Sequence, residues 1–174
     1  MCSGQRTLEF EGVSEVNLLP EDPRSGDYAF WSNQGDESQM TLSRSFDLTQ
    51  VTGPVDLKYW TWYDIETDYD YLYLQASEDS THWTLLEPPS CTSDNPTGAN
   101  YGCGYNGQSG GWVEESVDLS EYAGKQVWLR FVYVTDAAVN GEGMLIDDLS
   151  IPAIGYETDF EQDDGGWQAA GFAR

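Results

Sequence analysis

The side chains in this sequence that could do chemistry are almost all carboxylates. One set lies in the stretch Ile146-Asp147-Asp148-Leu149-Ser150-Ile151. Strand alternation places Asp147 with Leu145, Leu149 and Ile151, and Asp148 opposite with Ile146 and Ser150. A carboxylate on an apolar face is costly unless it is paired or bound to a metal. Glu9 and Glu11 share one face of an early alternating stretch, and Asp36 sits in the turn Gly35-Asp36-Glu37-Ser38. If the first and last strands meet at one edge, Glu11 and Asp147 converge, and the turn can add Asp36. Calcium takes about six to eight oxygens from carboxylates, carbonyls and water, and such a set can supply them. Solvated acids at strand ends are the alternative.

A second set, Asp64, Glu66, Asp68 and Asp70, carries acids at alternating positions, and Asp136 can join it from after a later strand. It lacks the spacing and glycine of an EF-hand loop. A solvated acidic turn is the plainer reading of this set. An ion pair of Asp136 with Arg130 is a further option.

Other chemistry is excluded by count. The chain has one histidine, His82, so no H-E-x-x-H zinc site can form. His82 lies in Ser77-Glu78-Asp79-Ser80-Thr81-His82-Trp83, which reads as an exposed hairpin turn resembling a shortened Asp-box. No serine beside it suggests a nucleophile, and no glycine-rich nucleotide loop occurs. A glycosidase would need two carboxylates about 5–9.5 Å apart in a cleft, and the sequence does not single out a pair. The chain therefore reads as non-catalytic.

Composition agrees. Among 174 residues, 31 are Asp or Glu and 7 are Lys or Arg, a formal net charge of −24. Nucleic-acid binding and docking on anionic membranes are disfavoured, because both need basic residues. No apolar run approaches the roughly 20 residues of a membrane span. Met1-Cys2-Ser3-Gly4 carries no signal-peptide pattern, so an extracellular protein would need its export signal elsewhere.

The elements that must position these acids read as strands. The runs from Leu42 to Phe46, Val55 to Tyr63, Tyr71 to Ala76, Val127 to Val134 and Met144 to Ile151 are short, β-branched or aromatic, and bounded by turn residues. Ser120 to Gly124 suits one short helical turn. The expected fold is all-β, a two-sheet antiparallel jelly-roll sandwich over residues 1–152. Residues 153–174 read as the start of a following module or as a returning strand segment. The echo of Leu8-Glu9-Phe10-Glu11 in Thr158-Asp159-Phe160-Glu161 leaves both options open. Within the long loop Glu87 to Gly111, a Cys91–Cys103 bridge would close a short ring and imply an oxidising compartment. Such a ring contributes about 3 kcal/mol by loop-closure entropy. Two free thiols are the alternative. Exposed Tyr and Trp residues offer sugar-stacking surface, so a carbohydrate-binding module is the second functional reading.

Several stretches together resemble a known family. They are Phe30-Trp31-Ser32-Asn33-Gln34-Gly35-Asp36, Ser45-Phe46-Asp47-Leu48, and Thr61-Trp62-Tyr63-Asp64-Ile65-Glu66 with Tyr69-Asp70-Tyr71. Gly111-Trp112-Val113, Val117-Asp118-Leu119-Ser120, Leu129 to Asp136 and Ile146-Asp147-Asp148-Leu149 continue the series. Over about residues 7–172 the chain resembles the MAM-like β-sandwich domain of immune inhibitor A-type secreted bacterial metallopeptidases. The resemblance implies a jelly roll, secretion, and a structural cation near the first and last strands, with Glu11, Asp36 and Asp147 as candidate ligands and Glu9 and Asp148 as reserves. It implies a zinc metallopeptidase parent whose protease domain is a partner of this module, with a protein or glycan surface as a further partner.

Overall fold

The computed structural model describes residues 18–174. Two antiparallel sheets pack face to face, with no α-helix among the described residues. The first sheet holds β1 (Phe30–Trp31), β3 (Asp56–Ile65), β6 (Gly107–Gln108), β7 (Val113–Asp118), β9 (Gly143–Ile151) and β10 (Tyr156–Thr158). The second runs in the order β11 (Gln168–Ala170), β2 (Gln39–Asp47), β8 (Gln126–Val134), β4 (Tyr71–Ser77), β5 (Thr84–Leu85). Single 3-10 turns at Ser120–Tyr122 and Pro152–Ile154 lead into β8 and β10.

Alternation explains the core. In β3, Leu57, Tyr59, Tyr63 and Ile65 face inward, and in β8 Val127, Leu129, Phe131 and Tyr133 do the same. Apolar side chains on the two inner faces interdigitate, as sandwich packing requires. Residues 153–174 take part in this body. β10 pairs with β9 and β11 pairs with β2. Phe160, Trp167 and Phe172 are buried in the core. The Trp167 ring meets Phe46 at 5.8 Å and Phe131 at 5.9 Å in the second sheet, while β10 belongs to the first sheet and β11 to the second, so the tail links the two.

The register of β9 departs from simple alternation. Trp60 pairs with Asp147 and Lys58 with Ser150, so β9 spends one extra residue there. The extra residue is a β-bulge, and Asp148 adopts φ +46° to make it. Before the bulge Met144 and Ile146 face the core; after it Leu149 and Ile151 do. The expected grouping of Asp147 with Leu149 and Ile151 is thereby corrected. Asp147 and Leu145 lie on the outer face of the sheet, with Trp60 and Trp62 as their cross-strand partners. That face is covered by the stretch before β1. Arg24 stacks over the Trp60 ring at 4.3 Å, and Trp112 Nε1 donates to the Asp22 carbonyl.

Cys91 and Cys103 form a disulfide across 12 residues, with Cα atoms 5.3 Å apart. Thr92 and Gly104 exchange backbone hydrogen bonds beside it, and Tyr105 exchanges two with Leu72 of β4. The long loop is thus tied to the second sheet.

Candidate functional site

Three elements meet at one end of the sandwich because of strand register. Tyr71 pairs with Val134, so the turn before β4 lies beside the segment after β8. Gln39 also pairs with Val134, which brings the turn before β2 to the same place. Carboxylate oxygens of Glu66, Asp70 and Asp136 lie within 4.8 Å of one another there. Asp70 is buried and Asp136 exposed. Asp70 Oδ1 accepts from the Asp136 amide at 2.8 Å, and Tyr133 Oη donates to Oδ2 over a long 3.4 Å. Asn106 fixes the turn by donating from Nδ2 to the carbonyls of Glu66 and Asp70.

The electrostatics are those of crowded like charges. Burial first, then the charges of Asp136 and Asp70, raise the pKa of Glu66. Burial also raises that of Asp70, with Asp136 and Asp36 adding to it against the Asp136 amide. Glu66 Oε2 is a buried oxygen without a hydrogen-bond partner. Among the described residues the only ion pairs are Lys125–Glu78 and His82–Asp79, so no basic side chain neutralises this group. Oxygens around one calcium at about 2.4 Å can be at most about 4.8 Å apart, a limit that these three meet.

The sequence-derived acids sort as follows. Asp36 is exposed, accepts from Asn140 Nδ2 at 2.6 Å, and acts on Asp70 rather than joining Asp147. Asp64 and Asp68 contribute no oxygen to the three-acid group. Glu9 and Glu11 lie outside the described residues. Arg130 does not reach Asp136; it donates to Gln75 Oε1 and stacks on Trp83 at 3.8 Å.

Asp147 and Asp148 form a separate corner. Asp147 is 0% exposed. Its Oδ2 accepts from the Ser25 amide at 3.1 Å and its Oδ1 from the Asp148 amide at 2.8 Å. Ser25 Oγ donates to Asp148 Oδ1 at 2.8 Å. Burial outweighs these donors and pushes the Asp147 pKa up to about 6. Here backbone N–H groups, rather than further carboxylates, satisfy the acid. Nothing in the sequence signals Ser25 as the partner. The bulge that turns Asp147 outward likewise leaves no trace in the residue pattern.

His82 sits exposed in its turn, with Nδ1 2.7 Å from Asp79 Oδ2. Asp79 Oδ1 accepts the Thr81 and His82 amides, and the Thr81 hydroxyl lies 3.1 Å from His82 Nδ1, so the pair organises a hairpin. Tyr101 is 72% exposed and Tyr69 is also exposed. Both line a cavity of about 250 Å³ with Tyr71, Tyr73 and Asp136. Among the described residues no helix is long and apolar enough to cross a membrane.

Comparison with known proteins gives these features a family. The chain is 32% identical over 143 residues to the Pre-pro-metalloprotease PrtV of Vibrio cholerae serotype O1, covering 82% of the chain and 15% of that protein. It is 33% identical over 156 residues to Immune inhibitor A of Bacillus thuringiensis subsp. alesti, covering 84% of the chain and 21% of the relative. Bacillopeptidase F of Bacillus subtilis matches at 28% over 118 residues, 67% of the chain and 7% of that protein. The chain thus spans between 15% and 21% of the length of its two nearer matches named here. With a family model aligned over residues 13–174, the chain belongs to the immune inhibitor A-like MAM domain family.

Proposed function

We propose that this domain is a non-catalytic accessory module of a secreted metallopeptidase, stabilised by calcium at its loop end. The observation that carries the reading is the group Glu66, Asp70 and Asp136, whose oxygens lie within 4.8 Å with no ion-pair partner among the described residues. Such a group repels itself unless a cation sits in it. Backbone carbonyls and water would complete the calcium shell, and Asp36 stands at its rim. The ion would tie the β3–β4 turn to the β8–β9 connection. It would stabilise the native state by mass action, by about 2.7 kcal/mol at a hundredfold excess over Kd. Extracellular modules of this kind bind at about 0.1–1 mM, which suits a secreted protein.

The accessory role is supported by the metalloprotease relatives and by the single histidine, which leaves no H-E-x-x-H zinc site in this chain. The protease domain of the same parent is its partner in this reading. The test is thermal unfolding of the purified chain in millimolar calcium and in excess EGTA at fixed ionic strength. A clear rise in Tm with calcium that Asp70→Asn abolishes is expected. Coincident curves would remove the calcium claim. A labelled-casein assay of the same chain with added zinc is expected to show no hydrolysis.

A second reading has one observation in its favour. Tyr101 is held rigidly while exposed, its amide donating to Tyr73 Oη at 2.9 Å and its ring 5.8 Å from that of Tyr73. A fixed, exposed ring beside a carboxylate suits stacking of a neutral sugar. Retention on a polysaccharide column that Tyr101→Ala abolishes would favour it.

A further inference from the structure

One buried acid belongs to neither region described above. Glu115 stands in β7 opposite Tyr59 of β3. It follows the alternation of Val113 and Val117 toward the interior and is 0% exposed. Neither of its carboxylate oxygens has a partner at full hydrogen-bonding geometry. Its strand neighbours Glu114 and Ser116 are exposed on the opposite face.

Its surroundings are titratable but not basic. From β3, Tyr59 and Tyr63 sense its charge. From the two segments that flank the Cys91–Cys103 ring, Ser90 and Tyr105 approach it. The hydroxyls of Tyr59 and Tyr105 are committed to each other at 2.6 Å. No Lys, Arg or His is among the groups that act on Glu115. An ionised carboxylate in such a place has no cation among the described residues to offset its lost hydration, and Ser90 and Tyr105 offset it only in part. Burial accordingly raises the Glu115 pKa against the smaller pull of Ser90 and Tyr105.

We infer that Glu115 is a pH latch beneath the disulfide loop: as a neutral acid it lets Ser90 and Tyr105 close over it, and its ionisation loosens that loop from the sandwich. The proton leaves to solvent, and water must reach the carboxylate. The contacts that must give are the Thr92–Gly104 bridge and the paired hydrogen bonds of Tyr105 with Leu72. The sign follows from linkage. A folded pKa above the unfolded value means that the neutral form stabilises the closed loop. That contribution is complete below about pH 4.3 and fades as pH rises through the folded value.

The test compares the wild-type chain with Glu115→Gln, which keeps the shape and cannot ionise. Amide hydrogen exchange is followed at Thr92, Gly104 and Tyr105 from about pH 4 to about pH 9, corrected for intrinsic rates. In the wild type, protection at these amides is expected to fall by up to about tenfold per pH unit above the folded pKa. In E115Q it stays level, and the Leu129 amide in β8 stays level in both. If E115Q does not fold, Glu115→Leu serves as the second neutral variant with the same expectation. Parallel profiles for wild type and the neutral variant, or level wild-type protection across the range, would overturn the inference.

Discussion

The Asp147 corner and the loop end at Glu66, Asp70 and Asp136 handle carboxylates in opposite ways. At the corner, one acid is fully buried and its oxygens accept backbone N–H groups of Ser25 and Asp148. At the loop end, three acids crowd together: Asp70 accepts the Asp136 amide, Asp136 accepts the Ala138 amide, and Glu66 Oε2 has no partner. The first arrangement is complete within the chain. The second is left short of positive charge. A buried acid is therefore not by itself a metal ligand; what matters is whether fixed dipoles already supply what the charge needs.

The largest effect is expected at Asp147. Replacing it with Ala strands the Ser25 and Asp148 amides and uncouples the covering stretch from β9. A loss of about 3 kcal/mol is expected in denaturant unfolding, because unsatisfied buried donors cost about 1–3 kcal/mol each. Asp147→Asn, which keeps one acceptor oxygen, should lose less. Equal stability of wild type and D147A would show that the corner does not hold the outer face.

The next effect is on pH dependence. Burial raises the Asp147 pKa to about 6 in the folded chain. The sign is that of a raised acid: its contribution is full below the unfolded value, near pH 4, and is lost as pH rises through about 6. Measured in EGTA, wild-type stability relative to D147N should therefore fall between those two values and level off above them. A difference that grows with pH would mean that the N–H donors outweigh burial.

Asp136→Asn sharpens the contrast with a change of sign. In EGTA it relieves repulsion at the loop end, so Tm should rise slightly. In millimolar calcium it removes a ligand, so Tm should fall below wild type. The same sign in both conditions would separate the crowding of these acids from any ion. The smallest effect is expected at His82, whose pair with Asp79 is fully exposed and screened by salt. His82→Ala should leave Tm unchanged within error, and its response to calcium should match the wild type.

Much of this molecule is legible in its sequence. The strand runs, the two-sheet sandwich, the Cys91–Cys103 bridge and the family resemblance all follow from residue types and local spacing. Alternation, turn residues and paired cysteines in one loop are short-range signals, so a single chain displays them. The exclusion of a zinc peptidase site follows from counting histidines. Glu115 stands in the apolar phase of Val113 and Val117, but only its burial in the folded sheet sets it apart from the other acids.

Tertiary structure alone decided which acids meet. Asp36 joins Asp70 because β2 and β4 both pair with β8, a long-range register that no local pattern encodes. Asp147 turns outward because one extra residue at Asp148 reverses the face of the strand, and a bulge changes parity without changing composition. Its partner Ser25 is 122 residues away. The sequence supplies an abundance of carboxylates; the pairing of strands determines which of them are satisfied, which are crowded and which are buried without a partner.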